Sequence, residues 1–302
     1  MPEYEAPELS HLHPSVRAAA RLPANERVEL IRADRWIGYP RAVEAVARLE
    51  SLLSWPDKQR MPNLLLIGPT NNGKSMIVEK FRRGHPAVAE AERERIPVLC
   101  VQMPSEPSVL RFYIALLAAL GAPLQPRRRL ADVEQISLKL LRLTGVRMLV
   151  IDELHNVLAG QGNSRREFLN LLRFLGNELR IPIVGVGTRE AYLAVRSDDQ
   201  LENRFEPIVL PLWNTGADTL SLLASFAAAL PLQRPSDIAT ADMAQYLLAR
   251  SEGTIGELAR LLTTAAIAAV ESGEERINRR TLVMADYAGP TERRHLFERE
   301  LM

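Results

Sequence analysis

A chain of 302 residues, 47% hydrophobic and 25% charged, has the composition of an ordinary globular protein, long enough for one large domain with a smaller attachment or for two domains. Its 38 basic and 37 acidic residues leave a net charge of +1, which argues against a polybasic binder and confines any nucleic-acid contact to local patches. The single cysteine, Cys100, excludes an intrachain disulfide, fits a reducing compartment, and in its apolar run reads as a small buried hydrophobe.

The opening residues, MPEYEAPELSHLHP, are acidic and broken by prolines, unlike a signal peptide. No apolar run is long enough to span a bilayer, so a soluble, cytoplasmic protein with no membrane partner is expected. Residues 1–14 read as an extended arm, either disordered or lying on a neighbouring subunit. Residues 15–34 are helical in part, with Pro23-Ala24-Asn25-Glu26 as a helix start, and 1–34 form an N-terminal arm and helix. Trp36-Ile37-Gly38-Tyr39-Pro40 is an apolar turn that could cover an adenine base or be plain packing. Arg41 to Leu53 follows as a helix with Val43, Val46, Leu49 and Leu53 on one face.

Asn63 to Arg83, NLLLIGPTNNGKSMIVEKFRR, is the stretch that organises the rest. A short apolar strand, Asn63 to Ile67, leads into G-x-x-x-x-G-K-[ST] over Gly68 to Ser75, and Met76 to Arg83 continues as a helix, which is the context a phosphate-binding loop requires. Gly68 and Gly73 let the backbone wrap an anion so that N–H groups and the positive end of the helix point at phosphate oxygens. Pro69, Thr70, Asn71 and Asn72 form the turn. Lys74 reaches the terminal phosphates and the Ser75 hydroxyl takes one position on a magnesium ion. Gly68 through Met76 are therefore the candidate nucleotide-binding residues, with ATP and Mg2+ as the expected ligands.

Gly84 to Arg95 reads as a charged loop or short helix, Pro97 to Gln102 as a buried strand, and Ser108 to Leu120 as a helix stopped by Gly121 and Pro123. After a Pro-flanked Arg127-Arg128-Arg129, residues 131–144 are amphipathic, with Val133, Ile136, Leu140 and Leu143 at helical spacing. Arg147 to Glu153 is an apolar strand closed by two acids. A parallel strand delivers Asp152 at its C-terminal end, where it can hold the metal, and Glu153 is placed to polarise an attacking water.

Ser164 to Leu179 is a helix with Phe168, Leu171, Leu172 and Leu175 inward and a possible capping box of Ser164 with Glu167. Ile181 to Gly187 is a strand ending at Thr188, whose hydroxyl could orient the attacking water, cap the next helix, or do both. A last strand runs over Phe205 to Leu210. Alternating strands and helices predict an α/β fold, a parallel sheet sandwiched by helices. Thereafter the strands stop. Asp218 to Leu230, Ala239 to Arg250, Ile255 to Glu271 and Asn278 to Ala285 are helical, giving an all-helical subdomain over 214–286 after a nucleotide-binding domain over 35–213. Residues from Asp286 on form a charged tail, taken as a separate segment over 287–302.

Together these residues resemble the AAA+ ATPases over Arg35 to Ala285, in which a P-loop, an acid-tipped strand, a polar sensor, an arginine before the last strand and a helical lid recur in this order. By that resemblance Arg204, in NRF, is an arginine finger offered in trans to the phosphate of a neighbouring subunit; the alternative is a surface arginine paired with Asp198, Asp199 or Glu202. The usual second sensor arginine is missing: its place reads Gly253-Thr254-Ile255-Gly256, and Arg260, one turn later, either substitutes or is solvated.

More narrowly, GPTNNGKSMIVEKF, VIDELHNVLAG, GVGTREAY and LENRFEPIVLPLW resemble the TniB proteins of bacterial transposons, which are similar to the TnsC regulators and more distantly to MuB. The resemblance implies an ATP-dependent, non-sequence-specific DNA-binding protein that assembles on target DNA as a homo-oligomeric ring or helical filament. It would select the insertion site, recruit and activate a DDE transposase, and work with a TniQ-like target-selection partner. Arg127, Arg128 and Arg129 are the candidate DNA contacts, against the alternative of a solvated charge run; Arg165-Arg166, Arg279-Arg280 and Arg293-Arg294 are weaker pairs. A competing reading is a protein-remodelling ATPase acting on a polypeptide. It would need an aromatic pore loop where Gln102 to Pro107 stands, and that stretch has none.

Overall fold

The computed structural model describes residues 9–91, 93–123, 129–160 and 162–301. The chain divides into two compact units, one over Arg41–Pro211 and the other joining the described residues up to Pro40 to those from Leu212 onward. In the first unit five strands, β1 (Asn63–Ile67), β4 (Val98–Gln102), β5 (Met148–Asp152), β6 (Ile183–Gly187) and β7 (Phe205–Val209), form a wholly parallel sheet in the order β4-β5-β6-β1-β7. Two short strands, β2 (Val88–Ala89) and β3 (Glu94–Arg95), pair antiparallel outside it.

Parallel strands are joined by helical crossovers and are covered on both faces, which the continuous apolar runs anticipate. Alternate residues of β1, Leu64 and Leu66 against Leu65 and Ile67, point to opposite faces and all four are buried. On one face the sheet packs against α4 (Val109–Ala119), α5 (Leu130–Leu143), α6 (Gly162–Leu179) and α7 (Arg189–Arg196), with Phe112 and Phe168 edge-to-face at 5.1 Å at the centre of that core. Asn63 is buried at the start of β1 because its side-chain oxygen accepts the Ile183 N–H at 2.9 Å, pinning β1 to β6 where the strands begin. At the opposite edge β7 carries Pro207, which has no N–H to offer a further strand.

Four local expectations are corrected. Where a loop or short helix is expected over 84–95, Pro86 blocks continuation of α3 (Lys74–Gly84), and among the described residues Val88–Ala89 pairs antiparallel with Glu94–Arg95 as the β2–β3 hairpin. In α2 (Pro40–Leu53) the buried face is Ala42, Ala45, Leu49 and Leu52, with Val43 54% exposed, because small alanines rather than the larger valines face inward. In α5 the deepest positions are Val133, Ser137, Leu138 and Leu141, while Leu143 is exposed. Ser137 tolerates burial by donating to the Val133 carbonyl at 2.7 Å. The helix α6 begins at Gly162, so Ser164 lies inside it and no capping box forms there.

The second unit is helical: α1 (Ala24–Arg32), α9 (Ala217–Ala229), α10 (Ala241–Ser251), α11 (Ile255–Glu271), α12 (Arg279–Met284) and α13 (Pro290–Glu300). Arg27 of α1 makes a bidentate pair with Glu275 at 2.6 and 2.7 Å, both side chains nearly buried. The segment expected as a charged tail is instead the helix α13. It buries no side chain of its own and is held by Arg293, which pairs with Glu257 of α11 at 2.7 and 3.0 Å, where Tyr287 also donates at 3.0 Å. Polar anchoring of this kind leaves no apolar period to read in the sequence. Among the described residues no single helix is long and apolar enough to cross a membrane.

Candidate nucleotide site

β1 ends at Ile67 and the chain turns sharply. The Gly68 N–H donates to the Gly187 carbonyl at 3.1 Å, and a Cβ at Gly68 would lie 2.8 Å from the Leu210 carbonyl oxygen, so only glycine passes there. Pro69, Thr70 and Asn71 form the outer turn, Asn71 at φ 59°, a left-handed conformation that asparagine tolerates. Gly73 sits at φ 83° immediately before α3, which starts at Lys74, two residues before the expected Met76. The first-turn N–H groups of Lys74, Ser75 and Met76 therefore have no partner within the helix and, with the helix dipole, make an anion site.

Two loop side chains behave differently from the expectation of a uniform phosphate cradle. Asn72 is buried and its amide donates to the carbonyls of Leu210 and Pro211, both at 2.9 Å, so it clasps the segment that follows β7. Lys74 is buried too, its ammonium donating to the carbonyls of Gly68 at 2.8 Å and Pro69 at 2.6 Å. Burial pushes the Lys74 pKa down, opposed by the charges of Glu153 and Asp152. A cation held inside a glycine-bounded turn by carbonyls alone fits an anion that would take over those bonds.

The strand order places β6 between β1 and β5, so the C-terminal ends of both open onto the same edge of the sheet. There the Ser75 hydroxyl donates to Asp152 Oδ2 at 3.2 Å, while Asp152 Oδ1 accepts the Glu153 N–H at 2.8 Å. A hydroxyl and a carboxylate oxygen are hard donors of the kind Mg2+ takes when phosphate and water complete its shell. Glu153 stands at φ 56°, a left-handed conformation uncommon outside glycine, and its carboxylate pairs with His155 Nε2 at 3.0 Å. Thr188 does occupy the residue before α7, but its hydroxyl bonds the Glu190 carboxylate rather than capping the backbone. The reading of residues missed His155 and the side-chain role of Asn72. The DELHN wording carried the first signal; nothing local carried the second.

Arg204 lies at the other end. Its carbonyl accepts the Asn63 N–H at 2.9 Å, placing it where β1 and β7 begin, and four strand steps of about 3.3 Å separate that edge from the phosphate loop. None of the three acids expected as partners forms an ion pair with it: Asp198 pairs with Arg173 at 3.5 Å and Glu202 with Arg196 at 3.0 Å, while the Arg204 guanidinium donates to Asn177 at 2.9 Å. Burial, then the like charges of Arg60 and Arg173, push its pKa down, with Asp198 opposing. It lines a cavity of about 590 Å³ with Trp55, Lys58, Arg60, Asp199 and Asn203.

Of the arginine triplet, Arg127 and Arg128 lie outside the described residues, and Arg129 is an exposed residue directly before α5. Two of the weaker arginine pairs are engaged within the helical unit, Arg279 stacked 3.8 Å over Tyr246 and Arg293 bound to Glu257. Ile37 and Tyr39 are buried, Tyr39 edge-to-face with Trp213 at 5.0 Å, which is the packing alternative for that turn. Arg260 is exposed, about 6.0 Å from the Tyr287 ring.

A glycine-bounded loop after a central parallel strand, an acid-tipped strand two places away on the same edge, and an appended helical unit define the class: a P-loop ATPase of the AAA+ type. Solved structures with this fold include the ORC1 protein of Aeropyrum pernix in complex with DNA, at 17% identity and a TM-score of 0.54, matching 85% of this chain and 68% of that one. Cdc6p from Pyrobaculum aerophilum matches at 16% identity and a TM-score of 0.56, over 82% of this chain and 68% of that one. A Walker-type ATPase of Pyrococcus abyssi matches at 16% identity and a TM-score of 0.54, over 90% and 78%. No curated protein matches the chain. The family model described as bacterial TniB protein matches residues 27–215, more than half of the sequence, and the chain belongs to that family.

Proposed function

We propose that this protein is a DNA-associated ATPase that hydrolyses ATP with Mg2+ and regulates transposition. The observation that carries the reading is the convergence of Lys74, Ser75 and Asp152 at one sheet edge in a chain of the TniB family. Gly68 to Met76 bind the triphosphate through backbone N–H groups, Lys74 exchanges its carbonyl partners for phosphate oxygens, and Ser75 with Asp152 hold the metal. When bound between those two residues, a magnesium ion would supply neutralisation of phosphate charge. Glu153 polarises the attacking water and Thr188 orients it.

Arg204, remote from its own loop, completes the site of a neighbouring copy, so the working unit is a homo-oligomer, a ring or helical filament on duplex DNA. Arg127, Arg128 and Arg129 contact phosphates without reading bases; a few contacts per subunit are weak, and repetition along the assembly makes them strong and salt-sensitive. In this reading the assembly selects the target and recruits and activates a DDE transposase, together with a TniQ-like partner. The family supports that role, as does the region after β4. Met103 there is 2% exposed and belongs to the core, not to a peptide-gripping loop. The test is ATP turnover with and without nonspecific duplex DNA. Stimulation that disappears at high salt is expected, and turnover indifferent to DNA turns the reading to a polypeptide substrate.

A further inference from the structure

The acid-tipped strand is followed at once by a 3-10 turn over residues 154–159, and its second residue, His155, touches the carboxylate expected to polarise water. Glu153 and His155 are held by different parts of the sheet edge. The Glu153 backbone is fixed in the left-handed region and its N–H is bound to Asp152. The His155 ring rests over Gly187, the last residue of β6. A Cβ on that glycine would lie 2.8 Å from the Ala191 Cβ, which is what excludes a side chain there, and would come within 3.3 Å of the His155 backbone nitrogen and 3.4 Å of its Nδ1, so the imidazole lies directly against the end of β6. The ring is thus placed by β6 and reaches across to the residue that follows β5.

Its two nitrogens have unlike surroundings. Nε2 lies 3.0 Å from Glu153 Oε2, whereas Nδ1 is buried and has no hydrogen-bond partner. A proton on Nδ1 would be a buried donor with nothing to accept it, which is costly, so the tautomer that fits carries its hydrogen on Nε2, the nitrogen beside Glu153. The other acid nearby, Glu190, accepts the Thr188 hydroxyl and does not form an ion pair with the ring. One carboxylate oxygen of Glu153 therefore lies against a charge-complementary imidazole nitrogen, and Oε1 is left to receive a proton from water.

We propose that His155 is a positioning residue for Glu153: seated on Gly187, it fixes one oxygen of the carboxylate so that the other faces the attacking water. This rests on Glu153 being the general base. A glutamate side chain has three rotatable bonds, and restricting them before the reaction lowers the barrier without strengthening nucleotide binding. The proton moves from water to Glu153 as the water oxygen bonds to phosphorus and the bond to the leaving diphosphate oxygen breaks; His155 keeps its own proton throughout.

The test uses the full chain with ATP. His155→Phe keeps a ring on Gly187 but removes the donor, and His155→Gln keeps an amide donor at similar reach. His155→Phe should lower kcat by about tenfold with little change in KM or in ATP affinity, and His155→Gln should recover most of that loss. In a Glu153→Gln background, adding His155→Phe should cost nothing further. Undiminished or faster kcat in a folded His155→Phe, an equal change in kcat and KM, or failure of Gln to rescue while unfolding midpoints stay at the wild-type value would each overturn the proposal. Should His155→Phe not fold, the comparison of His155→Gln with His155→Asn, whose amide is too short to reach, decides it in the same way. Wild-type turnover by Glu153→Gln alone removes the general base, a failure of the underlying reading rather than of His155.

Discussion

The Ser75 hydroxyl lies 3.2 Å from Asp152 Oδ2, though 77 residues separate them in the chain. The contact exists because β6 is inserted between β1 and β5, so that both loops leave the same edge. Neither residue alone makes a site. A serine at a helix start and an acid at a strand end are each common; together, one strand apart and beside a buried lysine, they are the grouping on which the proposed nucleotide site rests.

Lys74 tests that space directly. Its ammonium now bonds two carbonyls of the loop, and phosphate oxygens would replace them as charge-assisted partners. Lys74→Ala removes those bonds at about 1.5–3 kcal/mol each and should weaken ATP binding on the order of a hundredfold or more. Titration of a fluorescent ATP analogue measures this, and unchanged affinity would falsify the phosphate-loop assignment.

Arg204 stands at the wrong end of β1 to reach its own loop. Arg204→Ala subunits should therefore bind ATP normally and hydrolyse it poorly, and in mixtures they should depress the turnover of wild-type subunits more than dilution does. Turnover that falls only in proportion to the wild-type fraction would place the arginine outside any neighbouring site.

Much of this was readable beforehand because the strands are buried on both faces and spell continuous apolar runs, and because the phosphate loop is a contiguous pattern. The misread elements share a physical cause. The faces of α2 and α5 are set by Ala42, Ala45 and Ser137, residues whose burial depends on close approach and a local hydrogen bond rather than on hydrophobicity. The β2–β3 hairpin is short and exposed, and α13 is docked by ions. In the site, the Asn72 side chain meets carbonyls far along the chain, which no local spacing announces, whereas His155 meets Glu153 two residues away and only the DELHN wording pointed to it.

The buried pair of Arg27 with Glu275 offers a stability test within the helical unit. With 6% and 13% of the two side chains exposed, removing one partner leaves a charge away from water. Arg27→Ala should destabilise that unit by about 3–5 kcal/mol, whereas replacing both residues by methionine should recover most of the loss, because the apolar pair has no desolvation to repay. Urea unfolding of the full chain reads both. A mild effect of Arg27→Ala would mean that the pair is solvated.

The anchoring of α13 should depend on acid. Hydrogen bonds from Arg293, and then from Tyr287, hold the Glu257 carboxylate below its ordinary pKa of 4.5, against the opposing effect of burial. A group with a lowered folded-state value contributes its stabilisation in full above the unfolded value, and loses it as pH falls through the folded one. Residues 290–300 should therefore be protected at neutral pH and lose protection at pH values beneath 4.5, with α10 and α11 still folded at the onset. Hydrogen exchange, corrected for the pH dependence of the intrinsic rate, follows this helix by helix. Glu257→Gln keeps an acceptor for Tyr287 but gives up the charge facing Arg293, so it should loosen α13 at neutral pH and flatten the acid response. An α13 equally protected across the range in the wild-type chain would show that the ion pair does not hold the helix and that contacts with non-titrating acceptors, such as Arg293 with the Ala288 carbonyl, suffice.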